Sequence, residues 1–292
     1  MSQATPPAAA AAQPRRRPGI LTGDFRLSSL PWWAIILLAT GLVLAYLILA
    51  NERYHETFNY LATGVVMTLR ITVSSYSIAT VIGLVTGLAR TSKRVIPFTL
   101  STLYVETVRG VPLIVLMLYT AFIIIPGVAA LIAGIGRLGA SIGLGGFFVS
   151  LQGTTSRDIS LELRAIIALG FGYGAYEAEI FRAGIQSIGR GQMEAARSLG
   201  MTYSQAMRHI ILPQAIRRVL PPLGNDFIAC LKDSSLATVL AVNELTQLGR
   251  LRRSSTFRVF ETFNVLTFLY LAMTLFLSGV VRWLERRLKF EE

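Results

Sequence analysis

The sequence predicts an all-α fold, a polytopic bundle of about six transmembrane helices. Two observations carry this. Charged residues make up only 15% of the chain, against about a quarter in a soluble domain, and the deficit fits a protein whose solvent is largely lipid, where a charge is costly. Several apolar runs also reach the roughly 20 residues that cross a bilayer, and the mean hydropathy is +0.56.

Residues 1–30 are rich in Ala and Pro and then basic at Arg15, Arg16 and Arg17, and they read as a disordered cytoplasmic tail. The apolar run at 31–50 is too long for the core of a signal peptide, and no small-residue cleavage site follows it. It reads as an extra N-terminal transmembrane helix with Trp32 and Trp33 at the interface. Further spans are expected from Thr63 to Leu88, Ile96 to Pro126, Leu163 to Phe181, Leu220 to Val242 and Phe263 to Leu284. Gly110 and Pro112 weaken or kink the third of these six. Residues 127–162 form an outer insert. Its first part, Val128 to Val149, is apolar but glycine-rich and reads as a re-entrant or interfacial segment or a short extra helix. Each glycine weakens a helix by about 1 kcal/mol, which argues against a seventh span.

The net charge of +12 reads as the loop bias that orients membrane helices. The basic residues are dispersed and not gathered with aromatics into a stripe, which excludes nucleic-acid binding. With the N-terminus inside, Lys and Arg in cytoplasmic segments outnumber those in outer segments by about two to one, although a cluster from Arg250 to Arg258 falls on the outer side. The single cysteine, Cys230, cannot form an internal disulfide, and His55 and His209 stand apart from any metal-ligand cluster.

The segment at 189–213 is too polar to span. Met193, Ala196 and Leu199 recur at helical spacing over about Gln192 to Leu199, and Gly200 supplies a left-handed stop. Thr202 followed by Gln205 forms a capping-box signature for a second helix. That helix aligns Tyr203, Met207, Ile210 and Ile211 before Pro213 limits it. Such a helix–turn–helix suits docking onto a protein: Ala195 and Ala196 allow close approach, and Glu194 and Arg197 fix orientation. An interfacial helix lying on lipid headgroups is the alternative that this pattern leaves open.

Glu194-Ala195-Ala196, then Gly200, then Ile210-x-Leu212-Pro213 resembles the signature loop of ABC importer permeases. The resemblance extends over most of residues 60–285. Blocks at 104–113, 175–185, 221–226 and 231–236 are similar to permeases of the polar amino acid uptake group, which carry histidine, glutamine or arginine. The resemblance implies the type I ABC importer permease fold over residues 60–288, in a prokaryotic plasma (inner) membrane, with 189–213 as the coupling loop. It assigns ATPase coupling to Glu194, Ala195, Ala196, Gly200, Ile210, Leu212 and Pro213. It further implies a separate nucleotide-binding ATPase subunit, an extracytoplasmic substrate-binding protein, a second permease subunit (a copy or a homologue), and an amino acid as cargo. The first helix and the 127–162 insert depart from that family's pattern of five helices and a short outer loop. The chain has no GxxxxGK[ST] sequence, so no cofactor is expected on it, and ATP and Mg²⁺ belong to the partner. It is thus expected to be a transporter subunit and not an enzyme.

Ionisable residues at membrane depth are the candidates for a substrate pathway. Glu106 and Arg109 share a helix face and can pair. They either line a pathway at the Gly110–Pro112 break or hold the kink as an internal ion pair. Glu177 is expected near the inner mouth, with pathway and packing roles both open. Lys232 and Asp233, with Ser234, interrupt the fifth span, and Asn225 precedes them by two turns. Lys232 must face the bundle, a partner subunit or a wet cavity, and Asn225, Lys232, Asp233 and Ser234 are read as pathway-lining. Arg70 has either a functional or a packing role among Thr68, Thr72, Ser74 and Ser75. An ion-coupled secondary transporter would show internal repeats with paired broken helices, which the sequence lacks. A membrane scaffold leaves the charges in spans three and five unexplained.

Overall fold

The computed structural model describes residues 32–288, so the tail at 1–30 and Lys289 lie outside the described residues. Every regular element among the described residues is helical: α1 (Trp32–Ala50), α2 (Glu52–Arg90), α3 (Val95–Arg109), α4 (Leu113–Tyr119), α5 (Ile125–Ser141), α6 (Phe147–Gln152), α7 (Leu161–Gln186), α8 (Arg190–Ser198), α9 (Tyr203–Ala206), α10 (Leu212–Asp233), α11 (Leu245–Thr256) and α12 (Val259–Leu288). By contacts the chain divides into residues 1–42 and 43–292. In the first unit the described residues are the opening turns of α1. All other helices belong to the second.

Among the described residues, four helical stretches are long and apolar enough to cross a membrane by themselves: Trp32–Ala50, Glu52–Arg90, Leu113–Ser141 and Val259–Arg287. The expected fourth and fifth spans are helical too, as α7 and α10, but they are more polar. α7 buries Arg164 and Glu177, and α10 carries Asn225, Asp226 and Lys232 along its length. The fifth span also stops being an α-helix at Asp233 and continues as a 3₁₀ segment, Ser234–Leu240, which ends at the left-handed Ala241 (φ +56°). The expected third span divides at Gly110–Pro112, and the helix that follows ends at Ser141.

The centre of the bundle is the contact of α2 with α7. These helices run parallel. A Cβ added at Gly170 would meet the Ser75 carbonyl at 3.0 Å, one at Gly174 would meet Ile82 at 2.8 Å, and one at Gly83 would meet Glu177 Cβ at 2.6 Å. The resulting core joins Ile71, Ala79, Met117, Leu169, Tyr173 and Cys230. A second core, of Leu61, Leu245, Val265 and Leu269, seats α11 and α12. Buried Glu244 caps α11 by accepting from Thr246 N and Gln247 N, each at 2.8 Å, and from Tyr270 OH at 3.1 Å. Buried Thr68 accepts from Leu245 N at 3.1 Å, so this hydroxyl of α2 serves packing. Arg70 pairs with Glu162, in the first turn of α7, at 3.1 Å.

The insert corrects the sequence reading. Leu113–Ser141 is one continuous helical stretch of spanning length, and α5 fills much of the segment whose glycines argued against a further span. Two of those glycines make room for a neighbour. A Cβ at Gly136 would meet Gln152 N at 2.6 Å, and one at Gly139 would overlap the Phe148 ring. The glycines let α6 fold back onto α5, and that packing offsets their helix cost.

The two prolines expected to end helices do not end them. A five-residue π turn, Thr120–Ile124, precedes Pro126, and another, Met207–Ile211, precedes Pro213, each with one residue between. In π register a carbonyl accepts from the N–H five residues on. Thr120 O accepts from Ile125 N, and Met207 O accepts from Leu212 N. The next carbonyls, those of Ala121 and Arg208, then face the two prolines, which have no N–H. Arg208 is an exposed residue. Ala121 is fully buried, and its carbonyl accepts from Arg164 Nη1 at 3.0 Å. The same buried guanidinium donates through Nε to Ile159 O at 3.1 Å and through Nη2 to Ser156 O, so it ties the insert to the bundle. Replacing Arg164 with Met leaves the Ala121 carbonyl buried and unpaired. A loss of about 1–3 kcal/mol is expected, read as a lower melting temperature of the purified chain in detergent. An unchanged melting temperature would contradict this role.

Candidate functional site

The segment at 189–213 forms the two helices expected. α8 closes in a Schellman turn: Gly200 N donates to Arg197 O at 3.0 Å and Met201 N to Ala196 O at 3.1 Å, with Gly200 at φ +82°. The capping box is complete, with Gln205 N donating to Thr202 Oγ1 at 3.3 Å and Thr202 N to Gln205 Oε1 at 2.8 Å. Ala196 is buried, and Met193, Met207 and Ile210 pack around Ile188, Ile211 and Ala215. Glu194, Ala195, Arg197, Gly200, Leu212 and Pro213 are exposed. Two apolar residues differ from expectation: Leu199 is 84% exposed and Tyr203 60%. They flank the Schellman turn, where the chain leaves helical spacing and the three-residue rhythm no longer sets their direction. Beyond the capping box the helix is unbroken from 203 to 233, and Arg218 anchors it by donating to Ser187 O at the end of α7.

Along α10 the pathway candidates divide between two faces. Asn225 and Lys232, seven residues apart, are exposed. Asp226 and Asp233, also seven apart, turn towards the bundle. Tyr173 OH donates to Asp233 Oδ2 at 2.7 Å, and Tyr76 OH donates to Leu223 O at 2.6 Å while its ring meets Phe227 edge-on at 5.0 Å. Ser234 is buried and donates to Leu231 O at 2.7 Å. Glu177, expected near the inner mouth, lies between α2 and α7. It is fully buried, because Gly83 lets α2 press against it. Both Glu177 oxygens, Asp226 Oδ2 and Ser75 Oγ have no hydrogen-bond partner among the described residues. Such orphaned buried atoms are rare and mark a functional or wet interior.

Glu106 and Arg109 do not pair. Glu106 instead meets Arg90 at 3.0 Å, and Arg90 also holds Glu179 at 3.0 Å, while Arg182 holds Glu179 and Gln186. The fork of Arg90, at the last turn of α2, reaches both carboxylates and joins α2, α3 and α7. Arg109 lies over the Tyr176 ring, 5.7 Å from its centroid. Sequence reasoning missed this network, although Glu179 and Arg182 are three apart, a spacing that favours pairing. It also left Asp226 out of the site, although the seven-residue interval to Asp233 was legible. Nothing local in the sequence marks Tyr76 or Tyr173. Among the described residues, no group of three or more His, Cys, Asp or Glu side chains is arranged to hold a metal.

The family model described as "Binding-protein-dependent transport system inner membrane component" matches residues 79–290. The chain belongs to this family. Its relatives include the probable glutamine ABC transporter permease protein GlnM of Bacillus subtilis, 42% identical over 190 residues that make up 65% of this chain and 75% of the relative. They also include the glutamine transport system permease protein GlnP of Escherichia coli, 34% identical over 229 residues, 78% of this chain and 93% of the relative. A crystal structure of an amino acid ABC transporter with histidines superposes with a TM-score of 0.63 at 34% identity, over 78% of this chain and 94% of that one. The fold is thus that of the type I importer permeases, and this inner-membrane component is a permease subunit and not an enzyme. The Schellman turn yields a direct test. Gly200→Val forces a branched residue into a left-handed conformation at about 1–2 kcal/mol. Trypsin should then cut at Arg197 about five- to thirty-fold faster, as local opening becomes more frequent; an unchanged cleavage rate would count against it.

Proposed function

We propose that this permease moves a polar amino acid into the cytoplasm, driven by a separate ATPase that docks on residues 189–213. The observation that carries the reading is mechanical. α8 exposes Glu194 and Ala195 on one edge and packs its other face, through Met193, on the start of a helix that runs unbroken from 203 to 233. By helical rise that helix is about 46 Å long, and it carries Asn225 and Lys232 in its far half. Ala196 and Ile210 hold the two short helices to each other and to the end of α7. Gly200 sets the turn, and Leu212 and Pro213 continue it into α10. Movement of the docked ATPase thereby reaches the membrane interior as movement of α10.

The topology is N-terminus inside, with 189–213 cytoplasmic and the 127–162 insert outside. The excess of Lys and Arg in the segments then cytoplasmic supports it, and the parallel course of α2 and α7 supports an insert and a 189–213 segment on opposite sides. The domain division follows: a tail at 1–30, an added helix at 31–50, and the importer domain at 60–288. ATP and Mg²⁺ are used on the ATPase. An extracytoplasmic binding protein delivers the amino acid, and a second permease subunit, this chain or a homologue, completes the pathway. Exposed Asn225 and Lys232 face that pathway, with Asp233 and Ser234 behind them. Glu177 and Asp226 supply unpaired carboxylates in the interior, and Glu106 and Arg109 flank the Gly110–Pro112 break. The relatives named for glutamine support an amino acid as cargo.

Co-purification tests the docking. With Glu194→Arg and Ala195→Trp together, the ATPase should no longer co-purify and uptake should vanish, while the unfolding free energy stays within about 1 kcal/mol of the parent, as expected for exposed positions. Retained ATPase and uptake would overturn the assignment. In Lys232→Met the assembly should persist and uptake should fall at least about tenfold, as expected if a charge at membrane depth is functional; normal uptake would remove Lys232 from the pathway.

A further inference from the structure

Four arginines gather at the end of α11 and the turn into α12: Arg250, Arg252, Arg253 and Arg258. Two are neutralised. Glu56 accepts from Arg252 at 3.2 Å and from Arg258 at 2.6 Å, and Arg252 also covers the Tyr60 ring at 5.5 Å. The rest have no acidic partner among the described residues. Arg250 is exposed and donates to Thr238 Oγ1 at 3.3 Å, and Arg253 and nearby Arg53 of α2 are exposed. Arg53, Thr256, Phe257, Arg258, Phe260 and Glu261 border a recess of about 470 Å³.

Two phenylalanines stand out of this charged surface. Phe257 is 85% exposed and Phe260 80%. Phe257 also holds φ +57°, a left-handed conformation that costs a non-glycine residue about 1–2 kcal/mol. A backbone outlier that leaves an aromatic ring uncovered by the chain is an observation from which function can be inferred. Aromatic rings beside unpaired guanidinium groups are also the composition of a protein-binding hot spot.

We propose that this turn is a docking surface for an acidic protein, the extracytoplasmic binding protein of the importer. Phe257 and Phe260 enter its surface, while Arg53, Arg250 and Arg253 meet its carboxylates. The proposal rests on the topology given above, which places the α11–α12 turn outside. Charge selects the occupant. Basic residues on the outer side oppose the bias that orients the chain, so their presence calls for a local anionic partner. The recess carries both Arg258 and Glu261, a mixed lining that matches a hydrogen-bonding protein surface better than a layer of phosphates.

Two measurements on the assembled complex test it. Ser254 is exposed on α11, and the natural Cys230 is buried. Ser254→Cys should therefore react with a membrane-impermeant maleimide added to intact cells. No reaction would overturn the topology of the proposed function, and this proposal with it. The second measurement uses the complex in phosphatidylcholine vesicles, titrated with the binding protein that stimulates its ATP hydrolysis. The half-maximal concentration should rise about tenfold in Arg250→Glu/Arg253→Glu, as expected for reversed interface charges. It should rise about thirtyfold in Phe257→Gly, the loss expected of a hot-spot ring; glycine suits the left-handed backbone, so the fold is kept. Hydrolysis without the binding protein should not change. Outside labelling with unchanged affinity would overturn the docking surface and leave the proposed function standing. An effect confined to vesicles containing phosphatidylglycerol would assign the arginines to lipid headgroups and overturn the proposal too.

Discussion

In a bilayer two helices gain little by hiding apolar side chains from one another, because the surrounding lipid is as apolar as they are. Association then depends on how closely backbones approach and on polar groups that find partners. α2 and α7 meet both conditions. Small residues bring them together along a parallel course, with side chains of one set against the glycines of the other. Arg90 closes the contact at one end through Glu179, and Arg70 meets Glu162 at the other. Around that pair the remaining helices find their places: α3 through Tyr104, whose hydroxyl donates to Phe171 O at 2.6 Å, α10 through Tyr173 and Asp233, and α11 through Thr68. The buried carboxylate of Glu177 follows from the same closeness, since Gly83 leaves it no route to solvent.

A second constraint is that backbone groups away from water need partners. Proline would ordinarily end a helix for this reason. Here a π turn ahead of each proline shifts the register by one residue, and the helix continues. At Pro213 this joins the 189–213 segment and α10 into one body. The proposed coupling needs that continuity, because a flexible joint there would dissipate any displacement.

Residue types and periodicity were enough to read an all-α membrane bundle, the Gly200 stop and the Thr202–Gln205 box. These are local features, fixed by the chemistry of a few adjacent residues. What escaped depended on distant partners. Glu106 was read against its helical neighbour Arg109, but Arg90 competes from another helix with a better-placed fork. The glycines of α5 counted only as a cost against a further span until α6 was there to fill the space above them. Leu199 and Tyr203 fitted an apolar rhythm that the turn between them interrupts. Proline chemistry was weighed without the π register that accommodates it, so two helices were ended too early.

Arg164 illustrates how such accommodation links distant parts of a sequence. Its guanidinium serves a carbonyl 43 residues away, one that lacks a donor only because Pro126 follows it, and the side chain is steadied by two carbonyls of the insert. Proline, arginine and insert therefore constrain one another in descent. A lineage that shortened the insert would loosen the arginine, and the unpaired carbonyl would then favour replacing the proline. The three features are expected to be gained or lost as a set, in whatever order keeps that one oxygen supplied with a proton donor.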